Sequence, residues 1–133
     1  MVTYYVSPRR RFAHRHVPAT DAQRPDVQIP VDVIVDGDDY RISALVPGIK
    51  AEDLKIEILE DVVSIEGEFI NDESEDIKYL RRERPTGTFG RTMRLPTMLN
   101  SAGAEAEVIE GVLHMRVPKA EEAKAKQIKV KTK

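Results

Sequence analysis

Apolar side chains recur at every second position through the middle of this chain, the pattern of strands with one face turned to a core. Val31, Val33 and Val35 alternate with Asp32, Ile34 and Asp36, and Gly37-Asp38-Asp39 turns the chain into Tyr40, Ile42, Ala44 and Val46. This predicts a hairpin. After Pro47-Gly48, Leu54, Ile56 and Ile58 alternate with Lys55 and Glu57, and Glu60-Asp61 turns the chain into Val63 and Ile65, a second hairpin. Phe89, Met93 and Leu95 mark a strand closed by Pro96, and Glu110-Gly111 joins residues 104–109 to Leu113, Met115 and Val117 as a third hairpin. No stretch of this region sustains a 3.6-residue period. Strands so closely spaced predict an all-β fold, two antiparallel sheets packed face to face as a β-sandwich.

Two segments interrupt the pattern. Residues 71–76, Asn-Asp-Glu-Ser-Glu-Asp, are too polar to pack and predict an exposed loop. Residues 77–84 follow, with Tyr79 and Leu80 beside Arg81, Arg82 and Arg84. They read as a strand displaced from the sheets, with no partner nearby. Gly87-Thr-Phe-Gly90 reads as a turn.

Composition narrows the class. The chain has 133 residues, 21 Lys or Arg and 23 Asp or Glu, for a net charge of -2. That balance argues against a simple basic nucleic-acid binder, and the length suits one domain with tails. The charge is unevenly spread. Residues 1–25 hold five Arg against one Asp and residues 119–133 six Lys against two Glu, so each end is +4 and residues 26–118 are -10. A basic arm (1–25), an acidic sandwich (26–118) and a basic extension (119–133) are the expected divisions. The absence of cysteine excludes disulfide frameworks, thiolate metal sites and cysteine nucleophiles. No signal peptide is readable at the start, and charges interrupt every apolar run well short of the roughly 20 residues that cross a bilayer. A cytoplasmic protein without membrane partners is expected.

A set of motifs then carries a family resemblance. Leu45-Val-Pro-Gly48, Glu52-Asp-Leu-Lys-Ile-Glu-Ile58, Gly90-Arg91-Thr92-Met93-Arg94-Leu95-Pro96, Ala106-Glu-Val-Ile-Glu-Gly-Val-Leu113 and Val117-Pro118-Lys119 occur in order. Together they resemble the α-crystallin domain of the small heat-shock proteins, over roughly residues 28–130. The resemblance implies an immunoglobulin-like antiparallel β-sandwich between a variable arm and a C-terminal extension.

It also implies roles. Ile128-Lys129-Val130 stands where the family carries its Ile-x-Ile or Ile-x-Val tail motif. Residues at i and i+2 of an extended segment point the same way and can fill paired pockets on a neighbouring body. The implied receiving groove lies between the strand of Ile56 and Ile58 and the strand of Val108. The displaced segment, with Tyr79 and Leu80, would be exchanged between two chains. Arg91 matches the family's well-known arginine and would sit at that dimer interface, requiring a carboxylate partner; the second arginine common after it is Thr92 here. The implied function is that of an ATP-independent holdase. It would capture partly unfolded proteins as clients and assemble with itself as dimers within a larger homo-oligomer. Tyr4, Tyr5, Val6 and Phe12 of the arm are candidate capture residues, or pack inside the oligomer. The alternative is a monomeric module resembling CS-type co-chaperone domains, which would have no use for Ile128-x-Val130 or an exchanged segment.

Other constellations point to no catalysis and no cofactor. His14 and His16 lack a third ligand for a metal. His114 has no Ser or Asp at triad spacing, and Gly87 to Gly90 lacks the Lys-Ser/Thr ending of a phosphate loop. Arg9, Arg10 and Arg11 are too few for tight nucleic-acid binding beside an acidic body. Residues 119–126 read as a flexible spacer.

Overall fold

The computed structural model of the chain describes residues 25–70 and 76–132. Residues 71–75 of the predicted acidic loop lie outside them, as do the arm residues Tyr4, Tyr5, Val6 and Phe12. The strands are β1 (Val27–Gln28), β2 (Val31–Asp36), β3 (Asp39–Leu45), β4 (Lys55–Leu59), β5 (Val62–Phe69), β6 (Gly87–Arg94), β7 (Glu105–Ile109) and β8 (Val112–Pro118). They form two four-stranded sheets in the orders β1-β6-β5-β4 and β2-β3-β8-β7. This is the expected all-β sandwich.

The three predicted hairpins are β2–β3, β4–β5 and β7–β8, all antiparallel. Their turns use left-handed backbone where the right-handed strand twist demands it: Glu110 and Gly111 have φ of 49° and 80°, both central positions of a tight turn. Alternation sorts the side chains. Tyr40, Ile42 and Ala44 of β3 and Leu113, Met115 and Val117 of β8 are buried against Val63 and Ile65 of β5 and Phe89 of β6. Each fully buried side chain of this size contributes about 1.5–3 kcal/mol.

The structure departs from the sequence reading in three places. The first sheet is mixed, because β1 runs parallel to β6, pairing Val27 with Phe89 and Gln28 with Gly90. Asp26 fixes this short strand by accepting hydrogen bonds from the Thr88 backbone N–H and hydroxyl, both at 3.0 Å. Second, Gly87 to Gly90 is not a turn but the start of β6. Its glycines serve tertiary packing. The Asp26 carboxylate lies 2.5 Å from where a Cβ on Gly87 would stand, and the Pro25 ring sits 3.4 Å from the Cβ position of Gly90. Third, the extension does not leave the body at residue 118. The Lys119 backbone N–H donates to the Asp38 carbonyl at 2.8 Å, its Nζ donates to the Gly37 carbonyl at 2.8 Å, and the Ala120 N–H donates to the Met98 carbonyl at 2.8 Å. Lys119 Nζ also lies 5.4 Å from the centre of the Tyr40 ring. Residues 125–132 carry only exposed side chains.

Candidate assembly surfaces

The sandwich is open along one side, where the edge strands β4 and β7 of the two sheets face each other with no strand closing the gap. A groove of about 270 Å³ lies there, lined by Ile56, Ile58, Ala104, Ala106 and Met115 with Ser101 and Glu105 among them. Ile56 and Ile58 point inward because they pair with the buried Ile65 and Val63. Val108 shares the inward face of β7, opposite Leu113, but packs against the core and does not line the groove. The sequence reading missed Ala104, Ala106 and Met115. Alternation along β7 and β8 was the signal, weakened by the small size of the alanines.

The tail motif lies apart from this groove. Ile128 and Val130 are 87% and 91% exposed in a segment without regular secondary structure beyond Lys124. In an extended conformation their i, i+2 spacing puts both side chains on one side of the chain. The side chain of Lys124 is held by Glu121, whose carboxylate accepts from Nζ at 2.6 Å and raises the lysine pKa.

On the opposite side of the sandwich the second sheet ends in β2, an edge strand with three valines on its inward face and Ile34 between Asp32 and Asp36 on its outward face. Val33 and Val35 face inward by register with Ile42 and Tyr40, yet Val35 is 63% exposed. The cause is the facing sheet, whose edge there is the two-residue β1. Ile34 is exposed on the outward face. Such an edge offers unpaired backbone donors and acceptors with apolar cover, a template for another strand. Residues 77–84 form no strand among the described residues. Ile77 and Tyr79 are exposed, Leu80 is fully so, and Arg82 lies 5.1 Å from the centre of the Tyr79 ring.

Arg91 sits half-buried on β6 opposite Ile65, on the inward face between Phe89 and Met93. It makes no ion pair or hydrogen bond among the described residues. Thr92 points outward, where its hydroxyl is 3.2 Å from that of Ser64, and Arg94 lies 3.7 Å from Asp61. On the outer face of the second sheet, Arg116 joins three strands, reaching Glu105 at 3.3 Å and Asp39 at 3.1 Å, and Glu105 then Asp39 raise its pKa. His114 is exposed on that face opposite Glu107 and Ser43. Among the described residues no three His, Asp or Glu side chains group as a metal site, and no helix is long and apolar enough to cross a membrane.

This sandwich, open groove and apolar edge coincide with a family match, since the model of the Hsp20/alpha crystallin family aligns with residues 32–132. The chain belongs to that family. Small heat-shock proteins are chaperones of the stress response rather than enzymes. Among relatives, the 18 kDa antigen of Mycobacterium leprae is 38% identical over 120 residues, 90% of this chain and 78% of the relative. The 18 kDa heat shock protein of Streptomyces albus G is 32% identical over 103 residues, 77% of this chain and 72% of the relative. Among solved structures, heat shock protein 16.0 from Schizosaccharomyces pombe has a TM-score of 0.66 at 29% identity, covering 80% of this chain and all of that one. A small heat-shock protein from Xylella fastidiosa, described as having a distinct high-order structure, has a TM-score of 0.63 at 28% identity, covering 78% of this chain and 96% of that one.

Proposed function

We propose that this small heat-shock protein is an ATP-independent holdase that works as a homo-oligomer and binds partly unfolded proteins on apolar surface. The observation that carries the reading is the set of uncovered apolar elements on a body whose core is complete. These are the β2 edge, residues 77–84, the β4–β7 groove and the tail pair Ile128 and Val130. They match in pairs. Residues 77–84 of one chain supply a strand for the β2 edge of another, which makes a dimer and covers Val33, Ile34 and Val35. The tail of one dimer supplies Ile128 and Val130 to the groove of another, against Ile56, Ile58 and Ala106.

Arg91 belongs at the dimer interface, where a carboxylate of the second chain meets its half-buried guanidinium. The tail contact is weak by itself: two side chains offer roughly 3–6 kcal/mol before ordering costs. Many tethered tails hold a shell together while each contact opens and closes, and every opening uncovers client-binding surface. Tyr4, Tyr5, Val6 and Phe12 of the arm add to that surface.

The test is heat-induced turbidity of an unrelated enzyme, with and without this protein, in the absence of ATP. Suppression at equal mass is expected. Turbidity equal to that with an inert protein would refute the holdase.

A further inference from the structure

The outward face of the first sheet is crossed at one corner by the chain arriving from the arm. The Pro25 ring lies over Gly90, 3.4 Å from where a Cβ would stand, and the Glu66 Cγ is 3.5 Å from the same point. Gly90 and Glu66 are cross-strand partners on β6 and β5, both with side-chain positions on the outward face. The Pro25 ring and the Glu66 side chain therefore share the space over Gly90.

Just there the face holds a cleft of about 610 Å³, lined by Asp26, Asp53, Glu66 and Glu68 with Lys55 as its one cation. Four carboxylates against one ammonium leave a net charge of -3. Lys55 is itself held by Glu57 at 3.1 Å, and Asp26 is used by Thr88. Glu66, Glu68 and Asp53 make no ion pair among the described residues. Residues 1–24, which join the sandwich at this corner, carry five Arg and one Asp. Arg24 is adjacent to Pro25, and Arg15 lies ten residues from it. Strands lie about 4.8 Å apart, so crossing from β6 to β4 takes roughly three extended residues. Both arginines are within reach of the cleft.

We propose that residues 15–24 of the arm dock on the outward face of their own first sheet, with Arg24 against Glu66 and Arg15 against Glu68 and Asp53. The arm is tethered at Pro25, so its local concentration on this face is high and individually weak ion pairs suffice to hold it. Exposed pairs of this kind weaken as salt rises. The contact is a salt-sensitive latch that holds the arm against the sandwich and leaves it when the charges are screened.

The chain has no Cys and no Trp, so a single label and a single quencher can be introduced uniquely. The full chain would carry Ala19→Cys labelled with bimane and Ser64→Trp on the outward face of β5. It would be diluted into about a twentyfold excess of unlabelled parent so that only contacts within one chain report. We expect bimane quenching at low salt that falls at least twofold in about 0.5 M salt. A similar fall is expected on adding Glu66→Lys and Glu68→Lys, and recovery when Arg15→Glu and Arg24→Glu are added to that pair. Quenching unaffected by charge reversal would overturn the latch, as would quenching seen only when label and tryptophan are on different chains. Particle mass and circular dichroism of each variant separate loss of the latch from loss of assembly or of fold.

Discussion

Arg91 concentrates the argument at the scale of single residues. A guanidinium half-buried between Phe89 and Met93, with no ion pair among the described residues, is held at a desolvation cost that an interface carboxylate would offset. Arg91→Ala is expected to leave the sandwich folded, because the side chain makes no ion pair or hydrogen bond among the described residues, while weakening the dimer roughly tenfold to a hundredfold, about 1.4–2.8 kcal/mol. Dimer dissociation followed by dilution checks this; an affinity equal to the parent's would remove Arg91 from the interface. Gly67 sets a contrasting case, since its role lies wholly inside the core. A Cβ there would overlap the ring of Phe89, which is 1% exposed and packs against Phe69 with ring centres 4.7 Å apart. Gly67→Ala should lower stability by about 1–3 kcal/mol through overpacking. The midpoint of denaturant unfolding measures it, and an unchanged midpoint would mean the ring has room to move.

Among elements, the edges matter most. The β4–β7 groove is mostly apolar because two alternating strands turn their inward faces toward a gap that neither closes, and the tail carries two β-branched side chains at matching spacing. Ile128→Ala with Val130→Ala is therefore expected to reduce the assembly toward dimers with the melting of the sandwich unchanged. Sedimentation velocity of the double variant is the check, and an unaltered particle would show that the tail plays no part.

The same elements show what a linear reading captures. The three hairpins were legible because period-two alternation and turn residues such as Glu110-Gly111 are local signals. Ile56 and Ile58 were legible for the same reason. The parallel pairing of β1 was not, since two residues give no period and the pairing rests on the distant Thr88. Gly87 and Gly90 misled because glycine signals a turn locally, whereas Gly90 provides clearance for Pro25. The attachment of Lys119 to Gly37 and Asp38 was invisible too, being a contact across the fold rather than a pattern along it.

For the whole molecule, the near-neutral charge is a cancellation between a -10 body and two +4 ends. The core is built by the strands with Ile29, Val46, Ile49 and Leu95 beside them, and takes no side chain from residues 77–84 or 125–132. Their apolar side chains are explained if they are core residues of an assembly, buried against neighbouring copies and uncovered when contacts open. Light scattering coupled to size exclusion tests this most directly. At micromolar concentration the account predicts a particle of many chains built from dimers, and a monomer would contradict it.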